Sequence, residues 1–211
     1  EKKWTLIYND AYLRWKNARE KLTHRPVEAR SAPANESPEW YIGRFMNGSI
    51  TQQQVASLGV CLRTYELKWL QTFIALKGQA VLGNALHNIN KADNSDRKPD
   101  TAMEAEIIKC LRQLFNHEDG ARDALDNNTS ISPITASLAS EIPTRKSVIE
   151  LLTFFVMRDR IRGFNLVLKG LDDFSSSRRL PGKFDGWFFF WEAAIDGRGR
   201  FGSAVGASDA I

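Results

Sequence analysis

Long apolar runs, strand patterns and metal-ligand clusters are all scarce in this 211-residue chain. Its most apolar stretch, FDGWFFFWEAAI from Phe184 to Ile195, contains Asp185 and Glu192. That is well short of the roughly 20 residues a helix needs to cross a bilayer, so no transmembrane segment is expected. Apolar residues almost never alternate with polar ones at a period of two, which argues against a sheet protein. The three histidines, His24, His87 and His117, stand at no metal-ligand spacing, and a helix would splay the adjacent side chains of HED at 117–119. Only two cysteines are present, Cys61 and Cys110, each inside an apolar helical pattern. Two buried thiols in a reducing compartment are expected rather than a disulfide. Charge of neither sign dominates: 29 Lys and Arg against 25 Asp and Glu leave +4. This mild excess permits an acidic partner, but the aromatics do not interleave with the basic residues, so no nucleic acid is expected as a partner.

What is present is helical periodicity. Trp4, Ile7, Ala11, Trp15, Ala18 and Leu22 recur at spacings of three and four, one face of an amphipathic helix. Its other face is basic, through Lys2, Lys3, Arg14, Lys16, Arg19 and Lys21. THRPVEARSAPANE, from Thr23 to Glu36, loses all periodicity and reads as a tether. Residues 1–36 are therefore an appendage to a domain that starts at Ser37. The opening EKKWTLIYND is neither a signal peptide nor an initiating-methionine context, so a fragment of a longer chain is expected. The glycosylation sequons at Asn35, Asn47, Asn127 and Asn128 carry no weight in a cytosolic protein.

Helix starts are written into the next stretch. Ser37 before Pro38 reads as an N-cap with proline in the first helical position, and Thr51 with Gln54 as a capping box. Between Leu62 and Trp69, RTYELK interrupts the apolar pattern with large hydrogen-bonding side chains and reads as a presented surface. KADNSDRKPD, from Lys91 to Asp100, separates residues 37–90 from residues 91–211, with Thr101 and Glu104 a further capping box. Beyond it there is a repeat. Ile108, Leu111, Leu114 and Phe115 return as Ile149, Leu152, Phe155 and Val156, and again as Phe188, Trp191, Ala194 and Ile195. Shorter helices lie between the copies, EDGARDAL and SPITASL, the latter with Ser132 as N-cap before Pro133. Three helices in roughly 40 residues is the armadillo or HEAT period, in which neighbouring units supply one another's core. The expected fold is all-α, a right-handed armadillo-repeat solenoid with an N-terminal helical appendage.

Enzymatic motifs do not survive inspection. Gly197, Gly199 and Gly202 spell G-x-G-x-x-G after an aromatic run. A dinucleotide site also needs a strand, a helix and an acidic residue about twenty positions on, so these glycines are expected in the turn after the third long helix. Asp172 and Asp173 read as a solvated turn. Phe154, Phe155, Phe188, Phe189 and Phe190 are expected mostly in the core. The chain is expected to be a binding module that is not an enzyme and takes no cofactor or metal.

PEWYIGRFMNGSI, SLGVCLRTYELKWLQTF and EIIKCLRQLFN together resemble the amino-terminal regulatory region of diaphanous-related formins, most closely fungal ones, and the resemblance covers nearly the whole chain. It implies a segment that binds a GTP-bound Rho-family GTPase, followed by an armadillo-type inhibitory domain. The implied GTPase-binding residues are Val60, Arg63, Thr64 and Tyr65, ahead of Trp69 as a core residue. The implied groove for an inhibitory helix, from the carboxy-terminal autoregulatory segment of the same formin, is lined by Asn116, Phe154 and Met157. The third repeat places Asp196 there, so the asparagine ladder of armadillo proteins that hold extended peptides is missing. Phe154 and Met157 offer an apolar floor suited to an amphipathic helix. The resemblance also implies a cytoplasmic, cortical protein that reaches actin only through domains further along the chain. A generic armadillo adaptor is the competing reading.

Overall fold

A computed structural model describes residues 36–92 and 100–192. These lie within the unit Ala32–Ile211. The expected amphipathic helix, most of the tether, His24, Ala194, Ile195, Asp196 and the 197–202 glycines fall outside the described residues.

Helix α1 (Pro38–Met46) opens on Ser37, whose Oγ accepts the Trp40 N–H at 3.2 Å, with Pro38 in its first turn. Helix α2 (Gln52–Thr64) carries the full capping box. Gln54 N–H donates to Thr51 Oγ1 at 3.3 Å, and Thr51 N–H to Gln54 Oε1 at 3.0 Å. Helices α3 (Leu67–Ala75) and α4 (Gly78–Ala92) follow. Then come α5 (Thr101–Phe115), α6 (Glu118–Asn127) and α7 (Ile131–Ala136), which runs into a 3₁₀ turn at Ser137–Ala139. Helices α8 (Ile142–Arg158) and α9 (Arg162–Ser177) precede a last helical stretch, α10, at residues 185–192. No strand occurs among the described residues. The architecture is all-α and armadillo-like.

Two caps differ from expectation. Asp100, not Thr101, caps α5, its Oδ1 accepting the Met103 N–H at 2.9 Å, because an equally good capping side chain stands one residue earlier. Helix α7 begins after Ser130, which places Pro133 third in the helix. There its missing N–H costs nothing, since the first turn's donors have no intrahelical partner.

The layers are held by apolar packing. Helix α2 lies along α5, α5 beside α8, and α9 against both α7 and α8. Val55, Leu58, Cys61 and Leu62 of α2 are buried together with Ile107, Ile108, Leu111 and Leu114 of α5. Each such side chain contributes about 1.5–3 kcal/mol on burial. Exposed ion pairs such as Lys109–Glu106 add well under about 1 kcal/mol, so packing decides the fold.

The first two copies of the sequence repeat fall on α5 and α8, and the described part of the third, Phe188 and Trp191, falls on α10. Two shorter helices, α6 and α7, separate the first pair, whereas α9 alone separates the second among the described residues. Phe188 of the third copy and its neighbour Phe189, both expected mostly in the core, are instead exposed at 55% and 57%. Helix α10 instead packs through Gly186, Trp187 and Phe190, with the Phe190 ring 5.9 Å from that of Phe174.

Two cations hold α10, Arg178 lying 5.4 Å over the Phe190 ring and Arg145 reaching its backbone. The Arg145 guanidinium donates to the carbonyls of Leu138 and Ser140, both at 2.9 Å, and of Phe190 at 3.1 Å. It also lies 5.2 Å over the Phe190 ring. Lysine cannot serve three diverging carbonyls, so Arg145→Lys is expected to cost about 1–2 kcal/mol, read as a lower melting temperature.

Candidate functional site

Two surfaces emerge from the residues singled out in the sequence. The first is the exposed end of α2. Burying Leu58, Cys61 and Leu62 against α5 turns the other side of the helix outward, leaving Val60 49% exposed and Arg63 and Thr64 in solvent. Arg63 and Thr64 form the last turn of α2, so the break in the helix is confined to Tyr65 and Glu66. Thr64 Oγ1 donates back to the Val60 carbonyl at 2.8 Å, which fixes its side chain against the helix. Among the described residues none pairs with Arg63, whose charge therefore faces water. Leu67, the first residue of α3, is 58% exposed. It is an apolar member of this surface that the sequence, read as a run of polar side chains, did not single out.

Tyr65 is different. It is half-buried, and its hydroxyl donates to the Glu36 carboxylate. That bond, more than burial, pushes its pKa up to about 12. Trp69 Nε1 donates to the Glu36 backbone carbonyl at 3.0 Å. The Trp69 ring lies 5.6 Å from Tyr65, stacks on Phe73 at 5.7 Å and meets Tyr41 edge-on at 6.3 Å. Trp69 thus packs against the core. Beneath it, Tyr41 OH is 3.1 Å from Ser57 Oγ and 3.4 Å from Cys61 Sγ. Burial pushes the Cys61 and Cys110 thiols up, and Cys110 Sγ donates to the Val55 carbonyl at 3.2 Å. Both cysteines are free and buried.

The second surface lies on α8 and the end of α5. Met157 is 51% exposed, while Phe154, three residues earlier on the same side of α8, is half-buried with its ring 5.6 Å from Phe155. Asn116 is exposed at the C-cap of α5, next to Phe115, whose ring is 5.1 Å from that of Phe155. The structure thus sets Asn116 at the end of the helix that packs beside α8. Ion pairs from Arg112 to Glu150 at 2.8 Å, and from Arg158 to Glu118, bridge α8 to α5 and α6. Ile161 and Phe164, just beyond Met157, are exposed at 74% and 46%.

His117 Nε2 is 3.0 Å from the Leu62 carbonyl, a bond that helps close the end of α2. Asp172 and Asp173 lie in solvent along α9. Among the described residues no group of His, Cys, Asp and Glu could hold a metal ion, and no helix is long and apolar enough to cross a membrane.

The all-helical stack exposes apolar side chains at the end of α2 and along α8, and similarity to known proteins says what kind of module it is. The chain belongs to the Diaphanous GTPase-binding Domain family, which matches residues 1–157, and is the amino-terminal region of a diaphanous-related formin. It is 37% identical over 225 residues to the cytokinesis protein sepA of Emericella nidulans, a match covering 99% of this chain. It is 27% identical over 201 residues to protein BNI1 of Saccharomyces cerevisiae and 28% over 147 residues to Formin-D of Dictyostelium discoideum, covering 83% and 68% of this chain. The chain spans only 13%, 10% and 12% of those three proteins.

Proposed function

We propose that this GTPase-binding regulatory region takes a GTP-loaded Rho-family protein on the surface of Val60, Arg63, Thr64 and Tyr65. In the same proposal it holds a carboxy-terminal helix of its own formin against Asn116, Phe154 and Met157. Residues 37–90 would form the GTPase-binding segment and residues 91–211 the inhibitory repeats, with 1–36 an appendage to the former. The module acts at the cell cortex by releasing actin-assembling parts of the longer protein, and performs no chemistry itself. The observation that carries this reading is Val60, a half-exposed aliphatic side chain on an otherwise well-packed helix, beside an exposed arginine, in a chain of the GTPase-binding family.

The test is capture of purified Rho-type proteins in their GTP and GDP forms. The GTP form is expected to bind in preference, and equal capture of both would favour a generic adaptor. Val60→Asp is expected to weaken binding by about 2 kcal/mol, because a carboxylate at an apolar contact must be desolvated without a partner. Since Val60 is half in water already, the variant's melting temperature is expected to stay within a few degrees of the parent.

A further inference from the structure

We propose that Glu36 is a latch for the turn between α2 and α3, and that Tyr65 serves the GTPase-facing surface by holding this latch rather than by touching the partner. The inference rests on the GTPase-binding reading above and assigns roles within that site.

The turn is only two residues long, Tyr65 and Glu66, yet it separates the two helix ends that bear Val60, Arg63 and Thr64 on one side and Leu67 on the other. His117 helps to close the end of α2 through the Leu62 carbonyl, and the turn itself is fastened by Glu36, a residue outside both helices. Tyr65, on the turn, donates its hydroxyl to the Glu36 side chain, while Trp69, one turn into α3, donates its indole N–H to the Glu36 backbone at 3.0 Å. These contacts join positions 29 and 33 residues apart in the chain. Without them the Tyr65 backbone is held to α2 by its N–H to Cys61 carbonyl bond at 2.9 Å.

Orientation separates Tyr65 from its neighbours. Val60, Arg63, Thr64 and Leu67 are exposed, whereas the Tyr65 ring is half-buried against Trp69 and its polar tip is spent on Glu36. The bond to the Glu36 side chain also raises the phenol's pKa, which keeps the hydroxyl a donor. A hydroxyl committed in this way has little left for a partner. Its value to binding is that the helix ends bearing the four exposed side chains are already set in relation to one another, which spares the partner the cost of ordering that turn.

The experiment is a double-mutant cycle on the full 211-residue chain, using Glu36→Ala, Tyr65→Phe and the pair, with affinity for the GTP-loaded Rho-type protein as readout. Each single change is expected to weaken binding by about 3–10-fold, as the loss of one charge-assisted bond would, and the pair no more than either alone. In the free protein, the Trp69 indole N–H resonance is expected to move in both single variants, which reads the latch without any GTPase. Arg63→Ala, in contrast, should add its full effect to either variant and leave that resonance in place. Loss of affinity in Tyr65→Phe with none in Glu36→Ala would overturn the proposal in favour of direct contact. Unchanged affinity in both, while Val60→Asp still weakens binding, would overturn it too. If the wild-type chain does not distinguish GTP from GDP forms, the GTPase reading itself fails, and the Trp69 resonance alone then decides whether the latch exists.

Discussion

Phe155→Ala is expected to lower stability by about 3–5 kcal/mol, because it removes a large ring from a site with little room to collapse. Phe155 has no exposed surface and meets Phe115 at 5.1 Å and Phe154 at 5.6 Å, so it is the contact through which α5 and α8 pack. The surrounding backbone is equally tight. Phe155 carbonyl accepts the Asp159 N–H at 3.2 Å, and a side chain on Gly163 would place its Cβ only 1.9 Å from that same oxygen. Neither the helix end nor the start of α9 can move in to fill the hole. Denaturant unfolding monitored by far-ultraviolet circular dichroism checks this. A loss under about 1 kcal/mol would mean that the two helices are held by the Arg112–Glu150 bridge instead, which exposed pairs rarely manage.

Met157→Asp is expected to weaken binding of the parent formin's carboxy-terminal helix by about 2–4 kcal/mol, or roughly 30- to 1,000-fold. Met157 is half in water and Phe154 sits beneath it, partly covered by Phe155, so the pair forms an apolar step rather than a deep slot. A carboxylate on that step would face the apolar side of the incoming helix with no cation to meet it. Affinity for the GTP-loaded GTPase at Val60 is expected to survive, since Met157 lies on a different helix. Titration of the carboxy-terminal peptide into both proteins checks the first statement, and titration of the GTPase checks the second. Equal peptide affinity for both would remove this face of α8 from the inhibitory site.

Much of this was legible before any coordinates. Ser37 with Pro38 and Thr51 with Gln54 announce α1 and α2 because caps are local chemistry, complete within four residues. The recurrence of Ile108, Leu111 and Leu114 as Ile149, Leu152 and Phe155 gave the stacking, since a solenoid's core is written at its own period. Where two good caps stand close together, as Asp100 with Thr101 or Ser130 with Ser132, the choice falls to tertiary packing and the sequence is silent. Phe188 and Phe189, expected mostly in the core, are exposed for a related reason. Apolar character shows that a helix has something to bury, but which side is covered depends on neighbours, and α10 turns Trp187 and Phe190 inward. The partner of Tyr65 was out of reach altogether, because nothing local marks a bond that spans 29 residues.

The joint between α5 and α6 carries a consequence for how such domains can vary in length. Four successive residues there serve four destinations. Asn116 closes α5, His117 reaches the Leu62 carbonyl at 3.0 Å, Glu118 pairs with Arg158, and Asp119 accepts from Gln71 Nε2 at 3.2 Å. Gly120 then passes so near α5 that a Cβ on it would stand 2.2 Å from the Leu114 carbonyl. Surface connections ordinarily absorb insertions, but one extra residue at this joint would rotate every one of these side chains away from its target at once. The joint is therefore fixed in length as well as in composition, and a chimera that exchanges helical layers between two formins should be cut elsewhere.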